Sequence, residues 1–164
     1  MKTALILPAL GFALLAAGYI TPAFAADEVN VSLGTTVEGR HVALRGYDAV
    51  ALSTGKGRVD GRAAYTHVHE GVAYYFETEA SQAAFAADPD RYLPRFGGFC
   101  TLGVALGKKL DAAPRWADIV DGKLYVFLNE AVYRMYEEDK VGWIAKAYKA
   151  WDGLKALPVA EANS

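Results

Sequence analysis

The sequence predicts an α+β fold: two repeated hairpin–helix units forming a small antiparallel sheet with helices packed on it, followed by a C-terminal helix. Three observations carry this. Tyr65–Asp88 and Trp116–Asp139 align without a gap at an offset of 51, with six identities in 24 positions. Each copy holds a two-residue turn, Glu70-Gly71 or Asp121-Gly122, between runs rich in Tyr, Val, Ile and Phe. Each turn and its strands are followed by a helix-capping residue, Thr78 or Asn129, and then a glutamate.

At the N-terminus, Lys2, the apolar run Ala4–Ala17 and Ala23-Phe24-Ala25 read as a secretory signal peptide over residues 1–25. Residues 26–157 form the expected single domain, with a core over about 46–151 and a flexible tail over 158–164. Export would end in a periplasm or outside the cell, and no later stretch is apolar for long enough to span a membrane. Without Lys2 the chain has 16 basic and 19 acidic residues, a net charge of −3 that argues against electrostatic binding of nucleic acid.

VALRGYDAVAL, at the front of the domain, reads as a short strand or extended segment. The first hairpin follows, and its helix stops near Asp88 because Pro89 disfavours helical geometry at the preceding residue. PRFGGFCTLGVALGKK, residues 94–109, then reads as a glycine-rich connector crossing between the two half-domains. After the second hairpin and helix, Ile144, Tyr148, Trp151 and Leu154 mark a last helix over about 141–156. The identical aromatic pairs Tyr74/Tyr125 and Phe76/Phe127 are expected in the core. Other aromatic residues are compatible with a small apolar ligand pocket, although nothing in the sequence selects its lining.

GYDAVAL at Gly46–Leu52, EGVAYYFETEASQAAFAADPDRYLP at Glu70–Pro94, FGGFCTLGVALGKK at Phe96–Lys109 and IVDGKLYVF at Ile119–Phe127 together resemble exported YHS-domain proteins. The resemblance covers Gly46 to Trp151 and implies a small, non-catalytic domain of a kind often associated with copper and other heavy metals. Metal-associated members carry a cysteine shortly after a D-P-V motif and two more in F-C-S-x-x-C. Here the first motif reads Asp48-Ala49-Val50-Ala51, and Glu77 and Ser81 hold the later cysteine positions. The family's thiolate set is therefore absent.

Candidate ligands remain. Cys100 is the one cysteine of the chain, and His67 and His69 lie two apart on a strand, so they share a face. Thiolate and imidazole suit copper(I), with Asp48 as a further oxygen ligand. Asp48 also fits the simpler role of capping its own backbone as an Asx turn, and His67 and His69 fit a solvated hairpin face. Three readings stand in order: a module binding a soft metal such as copper, a structural or partner-binding module with Cys100 in the core, and a thiol-dependent redox enzyme pairing Cys100 with a histidine. A metal ion or a periplasmic protein is the expected partner, with the oligomeric state open. The glycines do not make a phosphate loop, because Val104 stands where lysine is required after the Gly98–Gly103 gap. Lys108-Lys109 is expected to be a solvated pair or an anion contact.

Overall fold

The computed structural model describes residues 28–31 and 34–164. The signal-peptide reading falls on residues outside these. Among the described residues, no helix is long and apolar enough to cross a membrane. The fold is α+β, with β1 (Arg62–His69) paired to β2 (Val72–Phe76) and β3 (Ala117–Val120) paired to β4 (Lys123–Val126), both antiparallel. The two hairpins form separate two-stranded sheets.

The hairpin turns follow from their sequences. Glu70 and Gly71 have φ of 48° and 83°, and Asp121 and Gly122 have 50° and 68°. Two successive left-handed residues give a turn whose twist matches that of the flanking strands. Thr78 caps α2 (Glu79–Ala87), its side chain accepting from the N–H of Ser81. Asn129 caps α5 (Glu130–Glu138) by accepting from the N–H of Val132. Phe85 of α2 then packs on Phe76, with ring centroids 5.0 Å apart. In the second unit the counterpart Tyr136 packs on Phe127 at 4.3 Å. All four side chains are fully buried.

The front segment and the cysteine segment turn out to be counterparts. Val42 makes a parallel bridge to Ala73 of β2, as Pro94 does to Leu124 of β4. A tight turn follows each, with φ of 52°, 53° and 78° at Leu44, Arg45 and Gly46, and of 56°, 61° and 79° at Phe96, Gly97 and Gly98. Next comes a five-residue helix, α1 (Ala49–Ser53) or α4 (Thr101–Ala105), whose N-cap is Asp48 or Cys100. The N–H of Asp48 donates to the carbonyl of Val59 at 2.8 Å, and that of Cys100 to the carbonyl of Leu110 at 2.9 Å. The segment expected to connect the units is thus the first third of the second unit. The link itself is α3 (Pro89–Tyr92) with Leu93.

Two elements lie outside the repeat. The long helix α6 (Lys140–Leu154) packs on α4, and α7 (Val159–Ala162) follows it. The tail expected to be loose is held instead. Ala162 is buried, and the Asn163 side chain accepts from the N–H of Lys109 at 2.9 Å and donates to its carbonyl at 3.0 Å.

Candidate functional site

Cys100 is 1% exposed. Burial pushes its thiol pKa up, while the N–H groups of Gly103, Leu128 and Leu102 around the sulfur pull it the other way. Asp48 occupies the same position in the first unit. Its Oδ1 accepts from the N–H groups of Val50 at 2.8 Å and Ala51 at 3.0 Å, and its Oδ2 from that of Glu77 at 2.9 Å. The Asx-cap expectation describes Asp48 well: both carboxylate oxygens already hold backbone donors.

His67 and His69 do share a face. Both rings stand edge-on to Phe85, with centroids 5.7 Å and 6.1 Å away. Among the described residues, no group of three or more His, Cys, Asp or Glu side chains is arranged to hold a metal ion. His67 and Asp118, paired by the repeat, each serve their own unit. Asp118 accepts from the Tyr136 hydroxyl at 3.0 Å and from Lys140 Nζ at 2.7 Å.

Lys109 is not a solvated lysine. It is 1% exposed, and its ammonium donates to the carbonyls of Lys155 at 2.8 Å and Leu157 at 2.6 Å. It also lies over the rings of Phe99 at 5.4 Å and Trp151 at 5.7 Å. Helix ends leave carbonyls without intrahelical partners, and this lysine supplies donors just past the end of α6.

The glycines of the cysteine segment have a specific use at Gly97. A Cβ there would collide with the carbonyl oxygen of Glu28. The segment 28–31 crosses the Phe96–Gly98 turn as a strap, with the N–H of Asn30 on the Gly97 carbonyl at 2.8 Å. The Asn30 side chain donates to the Gly98 carbonyl at 3.0 Å and to Asp111 Oδ1 at 2.9 Å. Asp111 in turn pairs with Arg45 of the first unit.

Beside this strap lies a cavity of about 320 Å³, bounded by the strap, the β1–β2 turn, the link between the units and α6. Tyr74, Phe96, Tyr148 and Trp151 give it aromatic walls. Phe96 meets Tyr148 edge-on at 5.0 Å and Trp151 at 5.9 Å, which fixes that wall. His69 also lines it, so one of the two strand histidines reaches the cavity.

Arg95 and Tyr74 bring polar groups into the lining that make no hydrogen bond among the described residues. Arg95 Nε is buried with no hydrogen-bond partner, and the Arg95 guanidinium makes no ion pair among the described residues. It lies close enough to Tyr125 to oppose the upward shift that burial gives that phenol. Tyr74 is 3% exposed, and burial, then the charge of Glu70, push its hydroxyl pKa up with no hydrogen bond contributing. Glu70, Asp90, Glu28 and Lys155 complete the charged part of the lining, the last two as an ion pair at 3.5 Å.

Arg95 was not among the residues singled out by sequence. An arginine two residues before a Gly-Gly pair carries no signal of burial, and its counterpart in the first unit is Ala43. Tyr74 was legible as core but not as lining. Comparison with protein-family models, with curated proteins and with solved structures gives no match to this chain.

Proposed function

We propose that the protein is an exported, YHS-like binding module that holds a small ligand in this cavity, with Cys100 serving as core packing. The carrying observation is the cavity of about 320 Å³ at the junction of both units, aromatic-walled and lined by Arg95, which makes no ion pair among the described residues. Ligand pockets usually join apolar walls to a few directed polar groups, and this lining has that make-up. The burial and raised pKa of Cys100 speak against a thiol nucleophile, which needs an accessible, readily ionised sulfur.

A thermal-shift panel of small neutral, anionic, cationic and zwitterionic compounds tests this reading. At a concentration of about 100 times Kd, one bound ligand adds about 2.7 kcal/mol of stability. The expected result is a rise in Tm with at least one class, lost in Leu93→Trp, whose larger side chain fills the cavity edge. No shift with any class would end the reading.

A second reading, binding of a soft metal such as copper, draws support from His67 and His69 sharing one face against Phe85. Titration with copper(I) against a competing chelator decides it. Binding lost in the His67→Ala/His69→Ala variant and kept in Cys100→Ser would favour a histidine site. Binding unchanged in both variants would remove this reading.

A further inference from the structure

We infer that the cavity takes a small zwitterion of amino-acid size with an apolar side chain, its carboxylate on Arg95 and the Tyr74 hydroxyl and its ammonium toward Glu70 and Asp90. This deepens the ligand-binding reading and rests on it.

A guanidinium partly withdrawn from water is costly unless an anion meets it, and buried N–H donors are almost always paired. Arg95 lines the cavity, and its guanidinium makes no ion pair among the described residues. Carboxylates match the planar donor fork of arginine, often through two parallel hydrogen bonds. Tyr74 adds an independent observation. Its side chain is almost wholly buried, it lines the same cavity, and its hydroxyl has no hydrogen-bond partner among the described residues. Its hydroxyl is a donor that a ligand carboxylate lying in the cavity can accept from.

The remaining charges decide between a simple anion and a zwitterion. Glu28 and Lys155 are 3.5 Å apart and neutralise each other. Glu70 and Asp90 are exposed at the edge of the lining and make no ion pair among the described residues. Two further carboxylates in the lining disfavour a ligand carrying only negative charge. A molecule bearing a carboxylate and an ammonium answers both. The volume, about 320 Å³, lies at the small end of ligand pockets. It suits one amino acid with an apolar side chain against Phe96 and Trp151.

Calorimetric titration of the purified protein with phenylalanine and leucine tests this. The controls are 3-phenylpropionate, which lacks the amine, and phenethylamine, which lacks the carboxylate. Binding of at least one zwitterion is expected, with each control weaker by about tenfold or more. Arg95→Gln and Tyr74→Phe should weaken the zwitterion and 3-phenylpropionate while leaving phenethylamine unchanged. Glu70→Gln/Asp90→Asn should do the reverse for the two controls. Tyr74→Phe keeps the buried ring, so it remains informative if Arg95→Gln unfolds. A control that binds as tightly as the zwitterion, or variants that leave zwitterion binding unchanged, overturns the inference. So does absence of zwitterion binding. If neutral compounds still raise the Tm in those cases, the ligand-binding reading survives alone. If no class of compound binds, both fall.

Discussion

Asp48 and Cys100 hold the same place in two copies of one turn, and they differ in what they offer the N–H groups around them. The carboxylate of Asp48 accepts three backbone hydrogen bonds from inside the core. The Cys100 thiol is a weak acceptor and makes no capping bond of that quality. Removing Asp48 leaves one buried and two partly buried donors unmet, whereas removing the sulfur mainly costs packing. Asp48→Ala is therefore expected to lose about 3 kcal/mol in urea unfolding, and Cys100→Ala about 1 kcal/mol. Equal losses would mean that the two caps are energetically alike. Cys100 should also react with a thiol reagent only as fast as the protein opens, since burial both covers it and keeps it protonated. The same comparison shows what the sequence conveyed. Asp48 was readable as a cap because its residue type announces one, but a cysteine in that position announces several chemistries and caps are the least of them.

The elements differ in how openly the sequence declares them. The hairpins and their helices were legible because turn chemistry, strand composition and caps agree within each copy. The equivalence of α1 and α4 was hidden by one residue. Asp48 and Cys100 stand 52 apart, while Val59 and Leu110, which accept from their N–H groups, stand 51 apart. A gapless alignment cannot cross that step. The C-terminal turn was misjudged for a different reason: Lys109 looks like any surface lysine until Phe99 and Trp151 cover it. Its ammonium joins α4's trailing loop to the carbonyls after α6, and Asn163 closes the clasp on its backbone. Lys109→Met keeps the apolar stem and removes the donors. Amide hydrogen exchange over 155–164 should then accelerate, with a loss of local stability of about 1–3 kcal/mol, while the hairpins exchange as before. Acceleration spread evenly over the chain would show the clasp to be part of the global core.

At the scale of the molecule, neither hairpin is sufficient alone, because an isolated two-stranded sheet is marginal in water. Contacts between the units supply what each lacks: Arg45 pairs with Asp111, the strap residue Asn30 binds Asp111, and α1 and α3 both reach β4. The cavity belongs to the same junction, since Tyr74 comes from one unit, Arg95 and Phe96 from the other, and Trp151 from the helix beyond both. Residues so far apart in sequence converge only in the fold, which is why no local pattern revealed the lining. Tyrosine ionisation gives a direct measure of this unity. Tyr74 in the first unit and Tyr125 and Tyr136 in the second have hydroxyl pKa values raised above the ordinary 10.0, burial being the largest cause in each. The sign follows from linkage: a pKa raised in the folded state means that the unfolded chain releases its proton first. The stability these groups contribute is therefore fully present below pH 10 and is lost as the pH rises above it. If the two units fold as one, all three phenols should ionise in a single step. Absorbance at about 295 nm and far-ultraviolet circular dichroism, recorded from pH 9 to 13, should change together at that step, beyond the gradual titration of the more exposed tyrosines. Two separated steps, one assigned by Tyr74→Phe and the other by Tyr125→Phe or Tyr136→Phe, would instead show two units that unfold independently.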